Sequence, residues 1–229
     1  MQASKKHSFL RRSPLAYVVV PLAFVLVSTA LVFIVGRTVL APYQALLGWF
    51  FSTTEVAQPR DLLDNAATVI NGGTVDRLPL SSVTYPSEGD RYATITISGT
   101  NVDAPVYYGD TSKILNAGVG TYKDDARVGI PGEGKTILLA GHNNTFFNDL
   151  QHAETGATVT ITTHYGVYTY EVTGTEILDY QDETAYDFTR TDENLILYTC
   201  YPFDALGFTP NRFFVYAKYV SGPVLDANS

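Results

Sequence analysis

The sequence predicts an all-β domain of roughly eight short strands in about 130 residues, closed as a barrel or packed as a sandwich. Three observations carry this expectation. Short runs of β-branched and aromatic residues recur from Arg91 to Val220. Glycine, proline, asparagine and aspartate cluster between those runs, where turns are needed. No sustained helical period and no internal repeat interrupts the pattern.

Upstream of that domain, the first twelve residues hold Lys5, Lys6, Arg11 and Arg12 and no acid. Pro14 to Val35 is then apolar apart from Tyr17, Ser28 and Thr29, with no charge before Arg37. A bilayer core needs about 20 apolar residues, so this run is long enough to span. It exceeds the roughly 7–15 residues of a signal-peptide core, which favours an uncleaved anchor. We therefore expect a cytoplasmic basic tail at 1–13 and a single-pass transmembrane anchor at 14–36. The excess of cations before the anchor places the N-terminus inside and the remaining chain outside the cell. The competing reading is a helix buried in a soluble protein.

Residues 37–90 read as a membrane-proximal helix and stalk linker. Val39 to Phe51 is a second apolar stretch, broken by Pro42 and carrying the sole tryptophan, Trp49. Tryptophan favours the membrane boundary. Asp61 to Asp64 reads as one helical turn, and Asn71-Gly72-Gly73 and Tyr85 to Asp90 read as turns.

The β-domain is expected over 91–221. Tyr92 to Ile97 alternates, Ala104 to Tyr108 is a short strand, and Ser112 to Leu115 is a helical turn closed by Gly118 and Gly120. Thr136 to Ala140 reads as a buried strand, and Thr158 to Thr163 with Val167 to Val172 as a hairpin around His164-Tyr165-Gly166. Asp179 to Thr191 is an acidic loop with room for a helical turn. Two final strands, Leu195 to Cys200 and Arg212 to Tyr219, flank a loop rich in proline and glycine. Residues 222–229 form a C-terminal tail.

The formal net charge is −8, and four of the 15 cations lie in the first twelve residues. The other 11 face all 23 acids, a balance of −12 outside the basic tail. Such a domain is a poor partner for nucleic acid. The single cysteine, Cys200, rules out a disulfide within the chain.

That cysteine ends one strand and Arg212 begins the next, so both can face one cleft. A nearby cation favours the thiolate, which is the nucleophile. A guanidinium also holds an oxyanion. The proton carrier has to come from His142, His152 or His164, since His7 precedes the apolar anchor. His142 follows the buried strand directly, whereas His152 sits in a polar loop and His164 in a turn. Thr199 reads either as a substrate-orienting residue or as an ordinary β-former. The acidic loop at 179–191 lacks the spacing of a calcium loop, and the chain has no zinc signature. No metal and no cofactor is expected.

Gly129 to Thr136, GIPGEGKT, matches the phosphate-binding loop pattern at every position. Its mechanism requires a strand before the loop and a helix after it. Here an apolar strand follows, so we read a glycine-rich connection and no nucleotide site.

Three segments, LLAGHNN at 138–144, LYTC at 197–200 and NRFFVYA at 211–217, together resemble the sortase family of Gram-positive surface transpeptidases. APVYYGD, GVGTY and IPGEG upstream are similar too, so the likeness covers Tyr92 to Val220. Ile196 stands where the T-L-x-T-C signature has threonine. TCYPFDALGFTPNRF resembles the class D branch more than the pilin-polymerising class C.

The resemblance implies the closed eight-stranded sortase β-barrel and the order His142, Cys200, Arg212 as the catalytic set. It implies a cysteine transpeptidase that cleaves an LPxTG-like sorting motif through a thioester on Cys200. The acyl group would pass to an amine of a cell-wall precursor or pilin. The expected location is the cell membrane, with the catalytic domain extracellular. The rival expectation is a non-catalytic, membrane-tethered β-domain for surface adhesion or pilus assembly, in which Cys200 is buried and inert. A cysteine peptidase of papain type fits less well, because there the cysteine precedes the histidine.

Overall fold

The computed structural model describes residues 17–32, 60–64, 76–186, 188, 190–205 and 209–226. The chain divides into two compact units, Met1–Glu55 and Val56–Ser229. The basic tail, Trp49 and the Asn71-Gly72-Gly73 turn lie outside the described residues.

In the first unit a helix, α1, covers 17–32. It is apolar around its circumference, with Tyr17, Leu22, Phe24 and Val32 all exposed. The Thr29 hydroxyl donates to the Val25 carbonyl at 2.8 Å, which satisfies it within the helix. Among the described residues no helix is long and apolar enough to cross a membrane.

Among its described residues the second unit holds ten strands: β1 (Arg77–Pro79), β2 (Arg91–Ile97), β3 (Asp103–Tyr108), β4 (Val119–Thr121), β5 (Thr136–Ala140), β6 (Thr158–Thr163), β7 (Val167–Asp179), β8 (Asn194–Cys200), β9 (Asn211–Ser221) and β10 (Val224–Asp226). A short helix, α2 (Ser112–Ala117), joins β3 to β4. Eight strands close a barrel in the order β2-β3-β4-β5-β8-β9-β7-β6. Of the two architectures open to the sequence, the barrel is the one formed. It is mixed, because β3 pairs with β4 and β5 with β8 in parallel.

Strand alternation fills the barrel. On β2, Ala93, Ile95 and Ile97 point inward and face Thr163, Ile161 and Val159 across the β6 ladder. A bulge between Arg91 and Ala93 lets neighbouring Tyr92 and Ala93 both be buried. On β8, Leu195, Leu197 and Thr199 face the interior with Val215 and Ala217 of β9, while Ile196 and Tyr198 face outward.

The outward face of β5, β8 and β9 is covered too. Leu138, Ile196 and Phe214 form a second apolar layer with Ala185, and Tyr186, Phe188 and Tyr198 pack against it. This cover comes from the segment that reads in the sequence as an acidic loop. Its carboxylates serve the backbone: Asp182 accepts from the Thr184 amide, and Asp179 from the Gln181 amide. Burial on both faces explains why β8 is a continuous apolar run from Leu195 to Leu197.

Three features extend the sequence-based boundaries. β7 continues past Val172 to Asp179 by way of a bulge at Val172/Gly174 and pairs with the whole of β9. β1 and β10, from the expected linker and tail, form a two-stranded parallel sheet. Residues 60–64 also dock on the domain: Arg60 pairs with Asp90 and Asp61 with Arg91, and Leu62 packs against the core.

The phosphate-loop look-alike is a connection before β5, and its amides are already occupied. Gly132 and Gly134 lie in the left-handed region, at φ +95° and +69°, and both N–H groups donate to Glu193 Oε2 at 3.0 Å. Tyr170 Oη donates to Glu193 Oε1 at 2.7 Å. The loop is therefore an anion nest filled by the chain's own carboxylate.

Two stability outcomes follow from these contacts. Leu197 is fully buried, so Leu197→Ala is expected to lower unfolding free energy by about 2–5 kcal/mol. The exposed Val220→Thr should change it by about 0.5 kcal/mol or less. Glu193→Ala strands two amides and a buried tyrosine hydroxyl, with an expected loss of about 2–5 kcal/mol. Glu193→Gln keeps one acceptor oxygen and should lose roughly half as much. Urea unfolding of the four variants checks all of these values.

Candidate functional site

The site lies where β5 and β8 end and β9 begins. Cys200 is the last residue of β8, and Arg212, second in β9, is its direct cross-strand partner. Both belong to the outward set of their strands, in line with Tyr198 and Phe214. Cys200 is a free, half-buried thiol. The inert, fully buried cysteine required by the binding-only alternative is thus not what the fold contains.

His142 arrives on the neighbouring strand. β5 runs parallel to β8 in a register that sets Ala140 opposite Tyr198. The Gly141 amide continues the ladder by donating to the Tyr198 carbonyl at 3.2 Å. His142 lies two residues beyond Ala140 and Cys200 two beyond Tyr198, so the parallel register carries both past the same barrel edge. All three candidate residues thus lie on, or just past the ends of, adjacent strands at one end of the barrel.

Side-chain hydrogen bonds fix this edge. Thr199, only 2% exposed, turns inward, and its hydroxyl donates to the Gly141 carbonyl at 2.7 Å. It ties β8 to β5 immediately before each strand presents its reactive side chain. Asn143 Nδ2 donates to the Pro202 carbonyl at 3.1 Å, clamping the loop after His142 onto the loop after Cys200. On the helix side, His142 Nε2 lies 3.2 Å from Asn116 Oδ1. Neither the Asn143 clamp nor the Asn116 contact belongs to the sequence reading, because asparagine in a loop or short helix carries no distinguishing pattern.

Arg212 is anchored at the root of the β8–β9 loop. One terminal nitrogen, Nη1, donates to the Thr209 carbonyl at 2.6 Å and to the Asn211 carbonyl at 2.9 Å. Its guanidinium carbon lies 5.6 Å from the centre of the Tyr180 ring. Tyr180 is brought there by the extension of β7, with its amide donating to the Pro210 carbonyl at 2.8 Å. The cation is therefore held at the start of β9 by backbone acceptors and an aromatic ring.

The other histidines are placed elsewhere. His152 Nδ1 pairs with Asp149 at 2.6 Å, on an exposed turn. His164 occupies the β6–β7 turn, where Nε2 meets the Thr84 carbonyl at 3.0 Å. That turn precedes the end of β7 that pairs with Ser221, whereas Arg212 pairs near the other end of β7, at Leu178. His164 is thus at the far end of the barrel from Cys200. Burial holds the His142 imidazole below the ordinary histidine range.

Comparison with known proteins points to one family. The sortase domain family matches residues 95–220. Sortase D of Bacillus subtilis is 35% identical over 136 residues, covering 59% of this chain and 67% of that protein. The catalytic domain of B. anthracis SrtD superposes with a TM-score of 0.51 at 29% identity, over 62% of this chain and 96% of that one. Sortase E from Streptomyces avermitilis gives a TM-score of 0.50 at 26% identity, over 59% of this chain and 91% of that one. With a closed mixed barrel, a cysteine and an arginine paired across β8 and β9, and a domain match over more than half its length, this chain belongs to the sortase family of cysteine transpeptidases.

Proposed function

We propose that this protein is a membrane-anchored sortase that cleaves an LPxTG-like sorting motif and transfers the acyl group to an amine of a cell-wall precursor or pilin. The observation that carries the assignment of roles is the strand register: Cys200 is opposite Arg212, and His142 leaves the adjacent parallel strand at the same edge. Cys200 is the nucleophile. Its sulfur bonds to the carbonyl carbon of the motif's threonine, and Arg212 stabilises the negative oxygen of the tetrahedral intermediate. His142 accepts the thiol proton and delivers it to the leaving amine, so the carbon–nitrogen bond breaks and a thioester remains. The incoming amine then attacks the thioester, loses a proton to His142, and the thiol is restored. Thr199 serves substrate binding indirectly, by fixing the Gly141 carbonyl beneath the site.

The apolar circumference of α1 supports an anchor at 14–36, because a helix that is hydrophobic all round needs an apolar surrounding. The basic residues before it orient the N-terminus to the cytoplasm, with the acidic catalytic domain outside. The similarity to sortase D supports a class D-like enzyme.

Incubation of the detergent-solubilised chain with a panel of LPxTG-like peptides should give a thioester adduct on Cys200, read by mass spectrometry. Cys200→Ala abolishes the adduct, and Arg212→Ala lowers kcat by about 10²–10³-fold. An added glycine- or diaminopimelate-type amine should divert product from hydrolysis to a new amide. Absence of a Cys200 adduct across the panel would sink the proposal.

The depressed His142 imidazole has a sign that can be checked. A histidine with its folded value below its unfolded value is stabilising above the unfolded value and loses that contribution as pH falls from there through the folded value. The same imidazole remains a neutral base further into acid than an exposed one. The acid limb of kcat/KM should therefore lie below about pH 6.5, with the limb belonging to the cysteine–histidine pair. A limb above that value would contradict the role assigned to His142.

A further inference from the structure

We propose that the open edge of β7, from Gly174 to Asp179, docks a basic, extended flank of the polypeptide substrate, which adds to the sheet as a further strand. This rests on the reading of Cys200 as the nucleophile of a polypeptide transpeptidase, and assigns a place to substrate chain outside the cleaved motif.

β7 has 13 residues and β6 only six. β6 covers β7 from Val167 to Glu171, and a last rung follows, in which the Gly156 amide donates to the Val172 carbonyl and the Val172 amide to the Ala157 carbonyl. Beyond that rung β7 keeps β9 on one side as far as Asp179. Among the described residues no strand pairs with its other side. In an antiparallel ladder, residues alternate between bonding to one neighbour and turning away from it. The Tyr201 amide takes the Asn211 carbonyl at 3.0 Å, so Asn211 bonds toward β8 and Arg212 toward β7. Glu176 and Leu178, opposite Phe214 and Arg212, therefore bond to β9. Thr175 and Ile177 turn their N–H and C=O groups to the open side. The strand end follows the same alternation: the Asp179 carbonyl accepts from the Asp182 amide outside the ladder, whereas the Tyr180 amide donates to the Pro210 carbonyl.

The side chains along this edge are accessible. Thr175, Glu176 and Asp179 are exposed, and Ile177 is 47% exposed. Open edges are commonly blunted by proline, lysine or a covering segment. The edge GTEILD has no proline and no lysine, and its only charges are acidic. From Gly174 to Tyr186 the sequence carries Glu176, Asp179, Asp182 and Glu183, with no lysine or arginine. Glu171, on the covered half of β7, is neutralised by Lys218 at 2.9 Å, whereas among the described residues Glu176 has no ion pair. This charge selects the occupant. A second copy of the chain would set the same acids against one another, and facing like charges destabilise a strand pair. A strand bearing lysine or arginine sets cations against them.

The edge is also placed for a substrate. Leu178 is opposite Arg212 and Arg212 is opposite Cys200, so the open side lies level with the nucleophile. A strand added to β7 would stand three strand spacings from β8, about 14 Å. About four or five extended residues cover that span. One polypeptide can therefore present its scissile bond to Cys200 and lay its flank along β7. Backbone hydrogen bonds hold such a flank, while Ile177 and the acids set its preference.

The test gives the full chain an LPxTG-like motif peptide alone, with a lysine-rich flank on one side or the other, or with a glutamate-rich flank. A lysine-rich flank is expected to raise kcat/KM about tenfold through KM, with the gain fading in about 0.5 M salt. A glutamate-rich flank should give none. Glu176→Lys reverses the charge, and Ile177→Pro removes an outward N–H without touching the β9 ladder. Each should abolish most of the gain and leave the unflanked peptide within about twofold of wild type. N-methylation of alternate flank amides makes the matching deletion on the peptide, which keeps the test decisive if Ile177→Pro does not fold. The proposal is overturned by no gain from a lysine-rich flank on either side, by a gain that survives Glu176→Lys, or by one that survives N-methylation in both alternate registers, which would leave charge attraction alone. A mass that doubles with protein concentration as the gain disappears would put a second copy on the edge instead. Cys200→Ala separates the two levels. Fluorescence anisotropy of the lysine-flanked peptide on that variant reports docking directly, so a wild type that turns over no motif peptide would defeat the transpeptidase reading and leave the edge still measured.

Discussion

The parallel pairing of β5 with β8 is the constraint on which the site depends. Parallel neighbours cannot be joined by a tight turn, so they are distant in sequence by necessity. Here Ala140 and Tyr198 are adjacent in space although more than fifty residues separate them. The same alignment carries the two ladders out at one edge, where each strand gives up regular pairing and presents a reactive side chain. The buried Thr199 hydroxyl locks that alignment at its last rung. A one-residue slip would turn Thr199 outward and Cys200 into the core. Burial of β8 on both faces makes such a slip costly, because each alternate residue has its own apolar partners.

The reactive edge is therefore supported from two sides. Inside are the aliphatic layers of the barrel. Outside is the aromatic cover of Tyr186, Phe188 and Phe214, beneath the line that leads to Cys200 and Arg212. Tyr186 meets Phe214 edge-on with ring centres 5.7 Å apart, and Phe214 stacks on Tyr198 at the same spacing. Rigid aromatic contacts of this kind keep the arginine strand from twisting away from the cysteine strand. Loop and helix then contribute the finer placement of the imidazole, through Asn143 and Asn116.

Much of this was legible in the chain itself. The alternation of Leu195 to Cys200 and of Arg212 to Tyr219 specifies two strands, and the breakers between them make Cys200 and Arg212 neighbours. The choice of His142 over His152 and His164 needed the family resemblance as well as its position after a buried strand. Other features were hidden for physical reasons. β1 and β10 have three residues each, too few to display a period, and they pair across the whole domain. The run from Val167 reads as ending at Val172, yet a bulge at Val172/Gly174 lets the ladder continue. Tyr186 and Phe188 lie among acids and read as a solvated loop, whereas their rings cover Phe214. The partner of the glycine-rich loop, Glu193, is some sixty positions away, and no local motif announces it.

Cys200 has one further property that follows from being the only sulfur of its kind in the sequence. A thiol that opens to solvent is open to peroxide as well as to substrate. Once converted to the sulfenic acid it has no second thiol in the chain with which to condense. Recovery then depends on a reductant from outside the molecule, and continued oxidation to the sulfinic acid would retire the enzyme for good. The same solitude that keeps the nucleophile free of disulfide exchange within the fold leaves its redox upkeep to the surroundings.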